Sequence, residues 1–225
     1  ADTPEECTLL LANSFASPRF WDLAPLDGYL EWLQAADQRR VYEDFRRQLE
    51  ILQARHPDRR LLLKAPAHLG NLTVLHEVLP EALPVQTHRD PTACFFSHCS
   101  LRETLATLVM EQPDRNAIAD QVRRVFEHDL RANLRFHEQA SCDVIHVACS
   151  ALRSRPLEVL QELRGRLGID GLEGVTDRAG ISRRSQARGG SGGHRYSRDG
   201  WGLKENRVAG LFGDYRSKFP EFVAT

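Results

Sequence analysis

Two short stretches concentrate side chains able to handle anions and protons. The first is Leu61-Leu62-Leu63-Lys64-Ala65-Pro66, followed by Ala67 and His68. An apolar run between turn signals predicts a buried parallel strand, ended here by Pro66. A lysine in such a run must send its ammonium to a partner or a cavity, because burying it unpaired is costly. His68 suits either a general base with a pKa near neutrality or a structural hydrogen-bonder before a helix. The second stretch is His88-Arg89-Asp90, ahead of Pro91 and, two turns on, Ser97. A strand that ends in Arg and feeds a helix N-terminus is a natural anion site. Backbone N–H groups and the positive end of the dipole face the ligand, and the guanidinium adds a planar fork. The competing reading is an Arg89–Asp90 surface pair, with Asp90 only a cap.

A third stretch carries charge rather than order. From Arg178 to Arg198 there are six Arg and no acid, within a chain of 30 basic and 31 acidic residues. A segment of charge +6 thus sits on an acidic body. Its core, from Arg183 to Tyr196, is rich in Arg, Ser and Gly without periodicity. It reads as a flexible loop, or as a mobile anion clamp in which Gly lets backbone N–H groups approach a phosphate.

The elements that must position these groups follow from periodicity. Helices are predicted from Thr3-Pro4 to about Leu11, from Ala36 to Arg55, from Leu72 to Leu79 capped by Asn71, and from Asp90 through Leu108. Further helices are predicted from Asp114 to about His137, from Pro156 to Leu167 ended by Gly168, and from about Lys204 to Phe219. Strands are predicted at Leu61–Pro66, Pro84–His88 and Asp143–Cys149. Strands alternating with helices argue for an α/β layer fold around a parallel sheet, in which ligands bind beyond the carboxyl ends of strands.

Composition narrows the class. The 225 residues are 41% hydrophobic and 27% charged, enough for one large core. A net charge of −1 argues against a nucleic-acid binder of the histone kind. The five Cys are odd in number and form no C-x-x-C pair, so free thiols in a reducing cytoplasm are expected. No stretch approaches the ~20 apolar residues of a membrane span, and none has the form of a signal peptide.

The run from Leu61 to Ser97, LLLKAPAHLGNLTVLHEVLPEALPVQTHRDPTACFFS, closely resembles the bacterial-type sulfotransferase family. That family has a W-x-L-K-x-P-x-H strand end, then a Q-T-H-R-D-P strand end with a Ser eight residues after the Arg. The opening ADTPEECTLLLANSF resembles its A-x-x-P-E-E-C segment, and GGHRYSRDGWGL from Gly192 to Leu203 resembles its G-x-H-x-Y-S-x-x-x-x-G-L segment. The resemblance implies a three-layer parallel sheet flanked by helices, of the P-loop-kinase-like kind, as a single domain over residues 1–225. It implies transfer of a sulfuryl group from 3′-phosphoadenosine 5′-phosphosulfate (PAPS) to a hydroxyl or amine of a small-molecule, glycan or lipid acceptor, with no metal. Arg89 and Ser97 would hold the 3′-phosphate, and Arg188, Gly189, Gly192 and Tyr196 would close over the nucleotide from residues 178–198. Lys64 would offset charge at the reaction centre. His68 would serve as base, with Glu6 as the alternative.

Three departures accompany the resemblance. The family's 5′-phosphosulfate loop precedes its P-E-E-C segment, and no G-x-x-x-x-G-[KR]-[ST]-like turn occurs in this sequence, so an N-terminally incomplete fold is expected. A catalytically inactive or truncated sulfotransferase-like nucleotide-binding or interaction protein is therefore the alternative. A nucleotide kinase would need that same loop. Cys149 to Pro156 keeps only Leu152 and Pro156 of a Y-x-D-L-x-x-D-P segment, and Gly190 stands where a basic residue is common. Acceptor specificity is expected from Trp21 to Leu33 and from Met110 to Phe136. Trp21, Trp32 and Trp201 either line an acceptor pocket or pack in the core.

Overall fold

Local signals set most of the helices. The computed structural model describes residues 5–139, 142–169 and 197–223. After α1 (Thr8–Ala12), α2 (Arg19–Leu23) and α3 (Asp27–Ala35) comes α4 (Gln38–Ala54), capped by Asp37, which accepts from the Arg39 N–H. Val41, Tyr42, Phe45 and Leu49 recur at helical spacing and form its buried face. A 3₁₀ turn (Pro66–Asn71) leads into α5 (Leu72–Val78) and then β1 (Val85–His88). Asp90 caps α6 (Pro91–Ala106) through the Ala93 N–H at 2.8 Å, with Pro91 at the first position. The long α7 (Arg115–Gln139) starts at Asp114, whose carboxylate accepts from the Asn116 N–H at 2.8 Å. Strand β2 (Ile145–Ala148) runs straight into α8 (Cys149–Ser154) and α9 (Pro156–Leu167), which stops at Gly168 with φ +57°, a left-handed cap that glycine adopts without strain.

Strands β1 and β2 pair in parallel with Val85 opposite Ile145 and His88 opposite Ala148. Helices α6 and α7 make the crossover between them. Among the described residues this is the whole sheet, so the predicted strand at Leu61–Pro66 is corrected. That segment has no ladder partner among the described residues. Its Lys64 carbonyl accepts one backbone bond, from the Cys7 N–H at 3.0 Å, and Leu62 is 97% exposed. An apolar run becomes a buried strand only when a neighbouring strand covers its polar edges. The predicted Asn71 cap is also corrected: its side chain donates to the Ala67 carbonyl at 2.9 Å instead. The single helix expected from Lys204 to Phe219 is two, α10 (Glu205–Leu211) and α11 (Gly213–Lys218), and a further helix, α12 (Pro220–Val223), follows. Phe212 and Phe219 leave helical geometry, the latter because the proline that follows disfavours it.

The largest core cluster joins α2, α3, α6, α7 and the C-terminal helices around Phe95, Phe96, Val122 and Phe212. A second joins α1, α4 and α5 around Tyr42 and Phe45. A third, smaller one lies between β2 and α9. The sheet meets the C-terminal helices through rings: His88 is 1% exposed, packs at a tilt on Phe219 and stacks on Phe222, with centroids 4.6 and 5.1 Å away. His88 Nε2 and His146 Nδ1 are 2.8 Å apart, and Tyr215 Oη lies 2.8 Å from His88 Nδ1. Gln86 donates to Asn133 Oδ1 and Tyr215 Oη and accepts from Asn133, all at 3.1 Å, while His137 Nε2 is 2.9 Å from Gln86 Oε1. No described helix is long and apolar enough to cross a membrane.

Candidate active site

The His68 end of the site is built from the 3₁₀ turn, α4 and α7. His68 Nδ1 is 2.8 Å from the Tyr42 hydroxyl, and both rings pack beside Phe45. Burial pushes the His68 pKa down to about 4, so the expected value near neutrality is corrected and the ring is neutral at pH 7. Burial, together with the Asp129 charge, pushes the Tyr42 phenol far above its ordinary value, so it keeps its proton. His68 Nε2 makes no hydrogen bond among the described residues. Two tautomers satisfy this pair. Either Tyr42 donates to Nδ1 and Nε2 carries the hydrogen, or Nδ1–H donates to the Tyr42 oxygen and Nε2 holds a lone pair.

Lys64 resolves differently. Its backbone is tied to Cys7, and its ammonium is ion-paired with Glu6, the other base expected here. The Lys64 side chain is 66% exposed, so the ammonium is a solvated group with a carboxylate partner. The two residues proposed for charge handling and proton transfer therefore occupy each other.

At the second strand end the period of the strand separates neighbours. Gln86 and His88 point into the core, whereas Thr87 and Arg89 are exposed. Asp90 does not pair with Arg89. It caps α6 and takes two hydrogen bonds from Arg216 of α11, at 2.9 and 2.8 Å. Arg216 also reaches the buried Thr92 hydroxyl. The surface-pair reading is thereby corrected, and so is part of the anion reading. The Ala93 N–H at the helix terminus already has an acceptor, so charge attraction there falls to Arg89. Arg89 makes no hydrogen bond or ion pair among the described residues. Ser97, half-buried two turns into α6, makes no side-chain hydrogen bond among them either. Helix α7 packs against both α6 and the 3₁₀ turn, bracing the two halves of the site. The expected nucleotide-loop residues Arg188, Gly189, Gly192 and Tyr196, with Gly190, lie outside the described residues. Cys149, which stands where the family's Y-x-D-L-x-x-D-P segment has its Tyr, is half-buried at the head of α8. Among the described residues no three His, Cys, Asp or Glu side chains are placed to hold a metal ion.

A sequence model described as the sulfotransferase family matches residues 1–173. The chain belongs to the sulfotransferase family. Its fold is similar to that of crystalline sulfotransferase STF9 from Mycobacterium avium, with a TM-score of 0.79 and 24% identity over 97% of this chain and 57% of that one. It is similar also to sulfotransferase STF1 from Mycobacterium tuberculosis, with a TM-score of 0.76 and 26% identity over 93% of this chain and 55% of that one. This sulfotransferase-family chain thus spans little more than half the length of those solved proteins. No curated protein matches its sequence at significant similarity.

Sequence reasoning missed three residues of this family member's site region. Tyr42 hides in the apolar face of α4, where a tyrosine is an ordinary core residue. Asp129 of α7 lies against the 3₁₀ turn: a Cβ added to Gly70 would sit 2.3 Å from its Oδ1. Arg102 is 1% exposed and ties α2 to α6, donating to Gln121 Oε1 at 2.8 Å and to the Trp21 and Ala24 carbonyls, with its guanidinium 4.2 Å over the Trp21 ring. Nothing in the local sequence around Arg102 marks it as buried.

Proposed function

We propose that the protein transfers a sulfuryl group from PAPS to a hydroxyl or amine of an acceptor. The observation that carries the reading is the counterion arrangement at the end of β1. Asp90 is neutralised by Arg216, and among the described residues the exposed Arg89 guanidinium has no partner, which makes it a cation available beyond the carboxyl end of a parallel strand. A planar fork there suits the 3′-phosphate of the nucleotide, with the Ser97 hydroxyl as a second donor. Arg188, Gly189, Gly192 and Tyr196 are assigned to the same phosphate and its nucleotide by their sequence motif.

In the transfer step the acceptor oxygen or nitrogen attacks sulfur and the bond from sulfur to the bridging oxygen breaks. 3′-Phosphoadenosine 5′-phosphate (PAP) departs with the electron pair. The acceptor proton passes to His68 Nε2, which requires the tautomer whose Nδ1–H donates to Tyr42. The Tyr42 oxygen then supports the imidazolium that forms. Lys64 lies near enough to Glu6 to exchange one anionic partner for another, and its ammonium offsets charge growing on the bridging oxygen. Sulfuryl transfer, like phosphoryl transfer, depends chiefly on positioning and charge stabilisation.

The test is nucleotide binding read by thermal shift. PAP raises Tm of the wild-type protein, AMP raises it less, and Arg89→Ala abolishes the difference. Equal stabilisation by AMP and PAP would count against the phosphate site. Transfer of labelled sulfate to a panel of phenols, amines and sugars, lost in His68→Ala, tests the reaction itself.

A further inference from the structure

A cavity of about 70 Å³ adjoins the His68 turn. Its walls come from both segments from which the sequence predicts acceptor specificity: Trp21, Leu30 and Leu33 on one side, and Val125, His128 and Asp129 on the other. Tyr42, which holds His68, and Ala67, its chain neighbour, complete the wall toward the catalytic turn. The floor is apolar, and its polar edge is made by the amides of Gln34, Gln38 and Asn71 together with Asp129.

The charge balance of this cavity is one-sided. Among the described residues, Asp129 is its one formally charged wall residue and no lysine or arginine lines it. The nearby Arg124 is engaged with Asp27, Asp120 and Glu31, and Lys64 with Glu6. The Asp129 side chain is 26% exposed, and its hydrogen-bond partner is His128 Nδ1 at 3.0 Å. Burial makes the carboxylate harder to ionise, His128 offsets part of this, and among the described residues no lysine or arginine pairs with it. A bound ammonium would do so. A carboxylate, phosphate or sulfate on the ligand would instead meet like charge without a counterion.

Resting on the sulfuryl-transfer reading above, we propose that this cavity is the acceptor site and that it takes a small amino alcohol. Its ammonium lies against Asp129, its short apolar stem lies on Leu30, Leu33 and Val125, and its hydroxyl is the group sulfated. The cavity is about half the size of one that encloses benzene, so the short head of an acceptor lies within it and any remainder extends outside. The structure thereby selects against hydroxy acids and phosphorylated alcohols of the same length.

The test uses three probes of equal length, 4-amino-1-butanol, 4-hydroxybutyrate and 1,4-butanediol, titrated into the intact protein without donor and followed by NMR. The amino alcohol is expected to bind at least tenfold more tightly than the hydroxy acid, with the diol between them. Asp129→Asn should remove the preference for the amine and leave diol binding within twofold. Since Asp129 is packed against Gly70, a second variant guards against misfolding: Gln34→Lys, on a half-exposed wall position, should invert the order in favour of the hydroxy acid. Equal binding of amine and acid by the wild-type protein would overturn the proposal, as would an unchanged order in Gln34→Lys. PAP stabilisation, measured on the same samples, separates the two readings. If PAP binds and the amine does not, the acceptor proposal alone fails. If the amine binds and PAP does not, the donor assignment fails and the cavity stands.

Discussion

Gly70→Ala measures how tightly the His68 turn is held on α7. A Cβ at this position would meet Asp129 Oδ1 at 2.3 Å, Cγ at 2.8 Å and Cα at 3.2 Å. The first two contacts involve a side chain that can turn away, at the expense of its bond to His128. The third is backbone, so α7 must also yield by a few tenths of an ångström. Replacing a glycine by alanine elsewhere in a helical turn stabilises by about 0.4–1 kcal/mol through the unfolded chain. Overpacking a filled site costs about 1–3 kcal/mol. The clash should win, giving a net loss of about 1–2 kcal/mol and, for a chain of this size, a Tm lowered by roughly 2–8 °C. Differential scanning calorimetry of Gly70→Ala, Asp129→Ala and the double variant reads it. In the double variant the 2.3 and 2.8 Å contacts vanish and only the tolerable 3.2 Å contact remains. Part of the loss should therefore return as a coupling energy of about 1 kcal/mol. A Gly70→Ala protein as stable as the parent, or strictly additive variants, would refute the inference that Asp129 sets the position of the turn.

The histidines predict the direction of acid sensitivity. Burial, followed by the neighbouring histidines, pushes His88 down to about 4, against 6.5 for the ordinary side chain. Its neutral form is therefore a stabilising element fully present above pH 6.5 and lost between pH 6.5 and 4, at no more than about 1.4 kcal/mol per pH unit. Asp129, raised by burial, acts in the opposite sense, so the term is read as the difference between the parent and His88→Gln: this gap in Tm should narrow from pH 7 to pH 5, and a constant gap would contradict it. Arg102→Met strands Gln121 Oε1 and the Trp21 carbonyl in the core, and should lower stability by about 3–5 kcal/mol in urea unfolding, with Arg102→Lys recovering less than half because one ammonium cannot replace the fork.

Features encoded within a turn or two of chain were legible. Asp90-Pro91 announces α6, Pro156 and Gly168 bracket α9, and the spacing of Val41, Phe45 and Leu49 gives the buried face of α4. The strand-end motifs singled out Lys64, His68, Arg89 and Ser97 as the residues of the proposed site. Their partners were not legible, because each comes from far along the chain. Tyr42 reaches His68 across 26 residues, Glu6 reaches Lys64 across 58, and Arg216 reaches Asp90 across 126. Those partners set the state of each group: they make His68 a buried neutral ring and Lys64 a paired surface cation, and they leave Arg89 without a partner among the described residues. The misread strand at Leu61–Pro66 has the same origin, since strand pairing is a property of two segments and the pattern of one says nothing about its neighbour.

Helix α7 also acts as a ruler. Along its 25 residues, Gln121 meets Arg102, Asp129 meets the His68 turn, and Asn133 and His137 meet Gln86 of the sheet. These positions turn progressively around the helix, because steps of four or eight residues do not close on a 3.6-residue turn. One residue inserted before Asp129 would swing everything beyond it by about 100° and advance it about 1.5 Å, uncoupling the turn and the sheet at once. Length changes in this protein should therefore be tolerated at the loops that flank α7 and not within it. Grafting an acceptor specificity from a relative would succeed by exchanging side chains on this helix at constant length, not by exchanging the helix for one of different length.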